Sequence, residues 1–306
     1  MKRKVLVVGY GSMGKRHVRN LSSMRIVTYV LTDHPDKMSN VKFLDDLVLL
    51  KNENVEYCII SSQTSKHLED LKRCTSSLIN LKKVLIEKPL ESSYLKGLEI
   101  KNIAKKYNLE IFLGYNLRFI NAFSFIKKFI RRYRKNIRIV EATAGQDLRQ
   151  WRTSRDVSRY YSASRSLGGG VDLDLSHEID YILWLFGCKF KKKIIYRTKI
   201  SNLNIDSPDF LKFFLDFDKF IVDITLDYIR IPRERYLKII CDSGQNLYYN
   251  FFSGTLKING RVILSRGDLK QSYIKMLLAF LGINKDDKVK LCTLDEGLNI
   301  LKILEA

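Results

Sequence analysis

Lys88, Asp174 and His177 are side chains of types that hold charge or exchange protons near neutral pH, and each stands in a segment that would aim it. Lys88 lies in Glu87-Lys88-Pro89-Leu90, directly after the apolar run Val84-Leu85-Ile86. A strand there would leave an ammonium at the carboxyl edge of a parallel sheet, where ligands bind in open α/β folds. Pro89 sets its own φ and biases the lysine toward extended backbone, so the ammonium is aimed. Asp174 and His177 follow Gly168-Gly169-Gly170 and stand three residues apart, a spacing that puts both on one face of a helix. A carboxylate one turn from an imidazole orients it and supports its protonated form, which general-base chemistry needs. Leu173, Leu175, Ile179 and Tyr181 surround the pair with apolar surface, as a lined pocket would.

A second group suits a dinucleotide. Gly9-Tyr10-Gly11-Ser12-Met13-Gly14 follows the apolar run Val5–Val8 and opens an amphipathic stretch. In that strand-turn-helix setting, the glycines allow a tight turn and let helix N-terminal N–H groups approach a pyrophosphate. Asp33, about 20 residues past the last glycine, ends the second predicted strand, where a carboxylate accepts bonds from an adenosine ribose. No arginine follows it to neutralise a 2′-phosphate, so NAD is expected over NADP. A plain turn aspartate before His34-Pro35 is the alternative. Ser62, Gln63, Thr64 and His67, at the edge of a predicted strand and into a helix, suit further cofactor contacts, although Thr64 or Ser65 could serve only as an N-cap.

These residues need two domains to position them. Through residue 118, short apolar runs alternate with amphipathic stretches, the pattern of a parallel βαβ sheet: strands at Lys4–Val8, Ile26–Leu31, Val55–Ser61, Val84–Ile86 and Glu110–Leu113, and helices at Gly11–Ser22, Asp45–Leu50, Lys66–Leu78 and Ser93–Tyr107. From 119 to 306 the strand-like runs are mostly consecutive, with helices at Asn121–Tyr133 and Leu173–Phe186, which predicts an α+β domain with a largely antiparallel open sheet. That second domain is expected to bind substrate and to oligomerise. A helix at 294–304 is expected to pack back on the first domain, a doubly wound Rossmann fold. An exposed antiparallel sheet face would favour a homo-dimer or tetramer.

Composition excludes other classes. Hydrophobic content of 45% is too high for disorder, and no apolar run is long enough to span a bilayer or form a secretory signal, so no membrane partner is expected. The five cysteines are scattered, odd in number and without metal-type spacing, which points to reduced thiols in the cytoplasm and no metal. A net charge of +21 raises a nucleic-acid reading. The excess is spread, however, with 21 basic against 12 acidic residues in 1–118 and 33 against 21 in 119–306. The basic block from Lys127 to Arg138 is interleaved with Phe125, Ile126, Phe129, Ile130 and Tyr133 at helical spacing, so it reads as the solvated face of an amphipathic helix. No nucleic-acid motif accompanies the charge, and nucleic acid is not expected as a partner.

Taken together, the fingerprint at 9–14, the Glu87-Lys88-Pro89 triplet and the glycine-rich turn leading to His177 resemble the Gfo/Idh/MocA oxidoreductase family over nearly the whole chain. Tyr161-Ser162-Ala163, the run from Gly114 to Phe119, and Leu226-Asp227-Tyr228 with Pro232 are similar to a subgroup found with surface-polysaccharide sugar biosynthesis. The resemblance implies Lys88, Asp174 and His177 as the catalytic set, and cofactor contacts from Gly9 to Gly14 and at Asp33, Ser62, Gln63, Thr64, His67, Glu87 and Lys88. It implies an NAD-dependent dehydrogenase or reductase that moves a hydride between nicotinamide and a secondary alcohol or ketone of a nucleotide-linked or phosphorylated sugar. Asn116, Arg118, Trp151, Arg152, Tyr161 and Ser162, with His177, are the expected substrate contacts. The chain departs from the family in three places. Asp and His stand three apart where four is commoner, which keeps Asp172 as a rival acid; Gln63 replaces a common proline; Ile120-Asn121 replaces a common His-Pro. A non-catalytic dinucleotide-binding regulator is the alternative reading.

Overall fold

The computed structural model describes residues 3–151, 156–283 and 289–305. In chain order the first elements are β1 (Lys4–Val8), α1 (Ser12–Ser23), β2 (Val27–Leu31), β3 (Val41–Leu44), β4 (Tyr57–Ile60), α2 (His67–Ser77), β5 (Lys83–Ile86), α3 (Tyr94–Lys106) and β6 (Glu110–Leu113). Next come α4 (Ala122–Tyr133), β7 (Ile137–Gly145), α5 (Val171–Asp174), α6 (His177–Phe186), β8 (Lys192–Thr198), β9 (Phe210–Asp216) and β10 (Ile221–Asp227). The chain ends with β11 (Glu234–Cys241), β12 (Asn246–Asn250), β13 (Thr255–Ile258), β14 (Arg261–Ser265), α7 (Leu269–Phe280), β15 (Cys292–Thr293) and α8 (Leu294–Glu305).

The chain divides into two compact units, Met1–Asn116 with Tyr273–Ala306, and Leu117–Ser272. The division expected from the sequence, 1–118 and 119–306, thus differs at its end: the last two thirds of α7, from Tyr273, and β15 group with the first unit along with the last helix. The physical reason is apolar packing. Phe280 sets its ring edge-on to Tyr57 and Phe112, and β15 adds an antiparallel edge to β6. In α8, Leu298 and Leu301 fill the space that Gly97 leaves on α3, where a Cβ would sit 2.8 Å from Leu298.

The first unit carries a seven-stranded sheet ordered β15-β6-β5-β4-β1-β2-β3, parallel except for β15. Strand order reverses at β1, which opens the crevice at the carboxyl edge typical of doubly wound sheets. Val5–Val8, Cys58–Ile60 and Val84–Ile86 are all buried, as strands covered on both faces require. β3 was absent from the sequence reading. Its four residues are half-buried or exposed at the sheet edge, so they lack an apolar run.

The second unit carries an eight-stranded sheet ordered β14-β13-β12-β11-β7-β10-β9-β8, antiparallel except for the β7–β10 pair. Its strands alternate in burial, with Val140, Val222, Ile224, Phe213 and Leu215 inward. On the opposite face Ile139, Ile194, Tyr196 and Ile221 are exposed. α4 buries Ala122, Phe123, Ile126, Phe129 and Ile130, while Lys128, Arg131, Arg132, Arg134 and Lys135 are exposed, the solvated face expected of the basic block. Among the described residues no helix is long and apolar enough to cross a membrane.

Candidate active site

In the first unit, adjacent strands bring Gly9, Ser61, Glu87 and Gly114 to one carboxyl edge. Backbone bonds fix the line: Ser61 donates to Val8 at 2.8 Å, Glu87 to Ile60 at 2.8 Å and Gly114 to Ile86 at 2.8 Å. Gly9 has φ +86°, and a Cβ on it would lie 2.8 Å from the Ser62 nitrogen; a Cβ on Gly14 would lie 2.1 Å from the Gly9 oxygen. Both positions therefore need glycine for the turn itself. Gly11 differs, because nothing of the protein lies within 4 Å of where its Cβ would be. It caps α1 without a side-chain bond, and the first turn of α1 holds no acid, so its leading N–H groups face no competing charge. Ser62 Oγ is buried with no hydrogen-bond partner among the described residues. An open helix N-terminus beside an orphaned hydroxyl is the donor set that a dinucleotide phosphate would satisfy.

The other expected cofactor residues fall as follows. Tyr10 donates its hydroxyl to Asp36 at 3.2 Å and sets its ring edge-on to Phe43; burial and the Asp36 charge push its phenol up. Ser12 is exposed and Met13 half-buried, its sulfur 3.6 Å from the Arg16 guanidinium. Asp33 is exposed two residues beyond the end of β2, which stops at Leu31 rather than at the aspartate. Gln63 is exposed and Thr64 buried. His67 is buried, with ring nitrogens 3.1 Å from the Leu90 carbonyl and 3.3 Å from the Ser62 carbonyl. Its ring ties the Ser62 and Leu90 loops together. Glu87 is buried too, with one carboxylate oxygen 2.6 Å from His17 Nε2 and the other accepting the Lys88 N–H at 3.3 Å. Lys88 is half-buried, and its peptide bond to Pro89 is cis.

In the second unit the glycine turn is shaped by crowding. A Cβ on Gly169 would lie 2.3 Å from the Tyr161 carbonyl, and Gly170, at φ +121°, precedes α5. The expected helix over Leu173–Phe186 is two helices, so Asp174 and His177 do not share one continuous face: α5 ends at Asp174 and α6 begins at His177. Tertiary bonds on both sides hold that break. Asp174, buried, accepts from the Tyr161 hydroxyl at 2.6 Å and from the Tyr228 hydroxyl at 2.6 Å. Beyond the break, Glu178 takes a two-pronged bond from Arg235 at 2.8 and 3.0 Å. His177 is buried at the head of α6. The rival acid, Asp172, is fully buried and bonded to Arg165 at 3.0 Å and Arg197 at 2.7 Å, an ion-pair role that leaves Asp174 as the better-placed acid.

Of the expected substrate contacts, Arg118 is buried and bonds Asp180 through Nε and Nη2 at 2.6 to 3.1 Å, with its plane near Trp184. Arg118 and Asp180 thus form a buried ion pair. Asn116 and Ser162 are buried; Ser162 gives its carbonyl to the Ser207 hydroxyl at 2.7 Å. Trp151 lies edge-on to Tyr228 at 5.4 Å, its indole N–H buried and unbonded among the described residues. Arg152 lies outside the described residues. Trp151, Tyr228, Asp174 and Tyr161 thus form one connected cluster. Sequence reasoning missed His17, and named Tyr228 only within a resemblance. His17 had a signal: with Gly14, Val18 and Leu21 it falls on the buried face of α1 at helical spacing.

Residues 3–115 match the oxidoreductase family of NAD-binding Rossmann fold named for Gfo, Idh and MocA. The chain is similar to myo-inositol 2-dehydrogenase of Thermotoga maritima, 25% identical over 195 residues that cover 60% of this chain and 55% of the relative. It spans about half the length of the curated relatives it matches. Among solved structures, the WlbA dehydrogenase of Bordetella pertussis, in complex with NADH and UDP-GlcNAcA, superposes with TM-score 0.78 at 15% identity, covering 100% of this chain and 95% of that one. The UDP-N-acetylglucosamine 3-dehydrogenase GnnA of Acidithiobacillus ferrooxidans superposes with TM-score 0.75 at 16% identity, covering 99% and 95%. Both likenesses are of fold.

Proposed function

We propose, from the match of residues 3–115 to the Gfo/Idh/MocA oxidoreductases, that the chain is an NAD-dependent dehydrogenase or reductase acting on a secondary alcohol or ketone of a nucleotide-linked or phosphorylated sugar. The observation that carries the chemistry is Asp174: a buried carboxylate gripped by two tyrosine hydroxyls, with His177 opening the next helix behind a glycine turn. A regulator that only senses a dinucleotide needs no such acid.

In this reading Gly9, Gly11 and Gly14 leave the N-terminus of α1 open to a pyrophosphate, and Ser62 adds a hydroxyl. Asp33 accepts from an adenosine ribose and repels a 2′-phosphate, which favours NAD over NADP. The nicotinamide ring, when bound, supplies the hydride acceptor or donor. Lys88 donates to the sugar oxygen and stabilises the charge that develops on it, and also contacts the cofactor ribose. His177 takes the hydroxyl proton in oxidation and returns it in reduction, while Asp174 fixes the acidic end of the cluster. Asn116, Arg118, Trp151, Arg152, Tyr161 and Ser162 are the proposed substrate contacts, and the indole N–H of Trp151 has no hydrogen-bond partner among the described residues. The nucleotide-linked sugar is supported by the names of two fold relatives, which handle UDP-sugars. The exposed apolar residues on the outer face of the second sheet support a homo-dimer or tetramer, and the free, scattered cysteines support a cytoplasmic setting.

The test is nicotinamide absorbance with a panel of nucleotide sugars and sugar phosphates, in both directions. Turnover with at least one member is expected. Tight NAD binding with no turnover across the panel would make the chain a dinucleotide-binding regulator.

A further inference from the structure

The chemistry above leaves one buried ionisable pair unused. His17 is fully buried on the inward face of α1, three residues past Gly14, with Nε2 2.6 Å from Glu87 Oε1. Its Nδ1 is buried without a partner among the described residues, where the ring's polar bond is to Glu87. Glu87 is closed in on its other sides. Its Oε2 accepts the Lys88 N–H at 3.3 Å, and a Cβ on Gly114 would lie 2.8 Å from Oε1 and 2.9 Å from Oε2. The carboxylate thus fills a slot between the helix that follows the glycine turn, the end of β6, and the backbone of the lysine.

We propose that His17 and Glu87 are positioning residues, which tie the head of α1 to Lys88 so that the phosphate-facing turn and the ammonium are held in one fixed relation. Neither side chain touches a ligand in this arrangement; both act through Lys88. The inference rests on the dinucleotide reading of the turn. Burial alone would push the Glu87 carboxyl up, yet the His17 bond, with the charges of His17 and Lys88, holds it below the usual range, as an ionised anchor requires. A charged carboxylate removed from water persists only where partners of this kind surround it.

A double-mutant cycle on NADH affinity, read by cofactor fluorescence on the full chain, separates positioning from bulk stability. Glu87→Gln keeps the shape and removes the charge. Its expected effect is an NADH dissociation constant raised about tenfold beside an intact Lys88, and no more than about twofold in the Lys88→Met background. His17→Leu should weaken binding similarly, and His17→Gln, whose amide can still donate to the carboxylate, should recover most of that loss. Equal factors in both backgrounds would overturn the proposal, because the pair would then be loosening the turn as a whole. If circular dichroism shows Glu87→Gln and His17→Gln both unfolded, the pair is a folding element and the proposal also falls. Absence of NADH binding to the unaltered chain would instead remove the dinucleotide reading and this inference with it. Sugar turnover enters none of these readings, so failure to find a substrate leaves the cycle intact.

Discussion

Tyr228, one residue past the end of β10, donates its hydroxyl to Asp174 Oδ2 at 2.6 Å, while Tyr161 serves Oδ1 from the other side. Burial, then the neighbouring Asp174 charge, pushes the Tyr228 phenol well above its ordinary value, so it remains a donor throughout the range in which the protein is handled. The carboxylate at the head of the proposed chemistry is held by a strand end and a loop of the same unit. Tyr228→Phe leaves that buried carboxylate one donor short and should cost about 1–3 kcal/mol of stability. Tyr161 is half-buried, so water can replace its hydroxyl and Tyr161→Phe should cost less. Denaturant titration of the two variants checks the order.

The glycine turn separates a folding requirement from a binding one. Gly14→Ala drives a methyl to within 2.1 Å of the Gly9 carbonyl and should destabilise the chain by about 1–3 kcal/mol. Gly11→Ala meets no protein atom within 4 Å. Its stability should move by no more than about 1 kcal/mol. Its NADH affinity should nevertheless fall at least about tenfold, ~1.4 kcal/mol, because the methyl enters the space assigned to the pyrophosphate. Melting curves with and without NADH distinguish the two.

Arg118, an expected substrate contact, is held in a buried ion pair with Asp180. Removing one partner of a buried ion pair strands the other charge, so Arg118→Ala should cost about 3–5 kcal/mol. A melting temperature unchanged from the unaltered chain would contradict the stabilising role of that pair.

Glu87 sets an acid limit. Its carboxyl lies below its ordinary value of 4.5, so the stability it contributes is fully present above that value and is lost as pH falls through the lowered one. The stability gap between the unaltered chain and Glu87→Gln should therefore be constant near neutrality and shrink on acidification below 4.5. Denaturant melts at about pH 7 and about pH 3 measure it; an equal gap at both would contradict the assignment.

The parallel sheet, the fingerprint and the Lys88 position were legible because each depends on local pattern: an apolar run, a turn, then a helix. Asp174 and His177 were legible as residues but not as an arrangement. Helical spacing alone joins them on one face, whereas the chain breaks between α5 and α6, with Asp174 bonded to Tyr161 and Tyr228 and Glu178 to Arg235. The Arg118 ion pair was not legible for a related reason, since its partner lies 62 residues away and nothing local announces it. β3 escaped notice because an edge strand of four residues needs no apolar run. His17 was hidden by its type, a polar residue at a position of the buried face where its partner, Glu87, is 70 residues distant.

The most direct measurement of the central claim is His177→Ala in two assays side by side. NADH affinity, by fluorescence titration, should stay within about twofold, while turnover on the responsive sugar falls by about two to four orders of magnitude, the range for a lost general acid/base. Turnover that survives the substitution would contradict the role given to His177 and move the proton transfer to another group. Loss of NADH binding in step with turnover would contradict it as well, because the histidine would then be holding the fold or the cofactor and not the substrate proton.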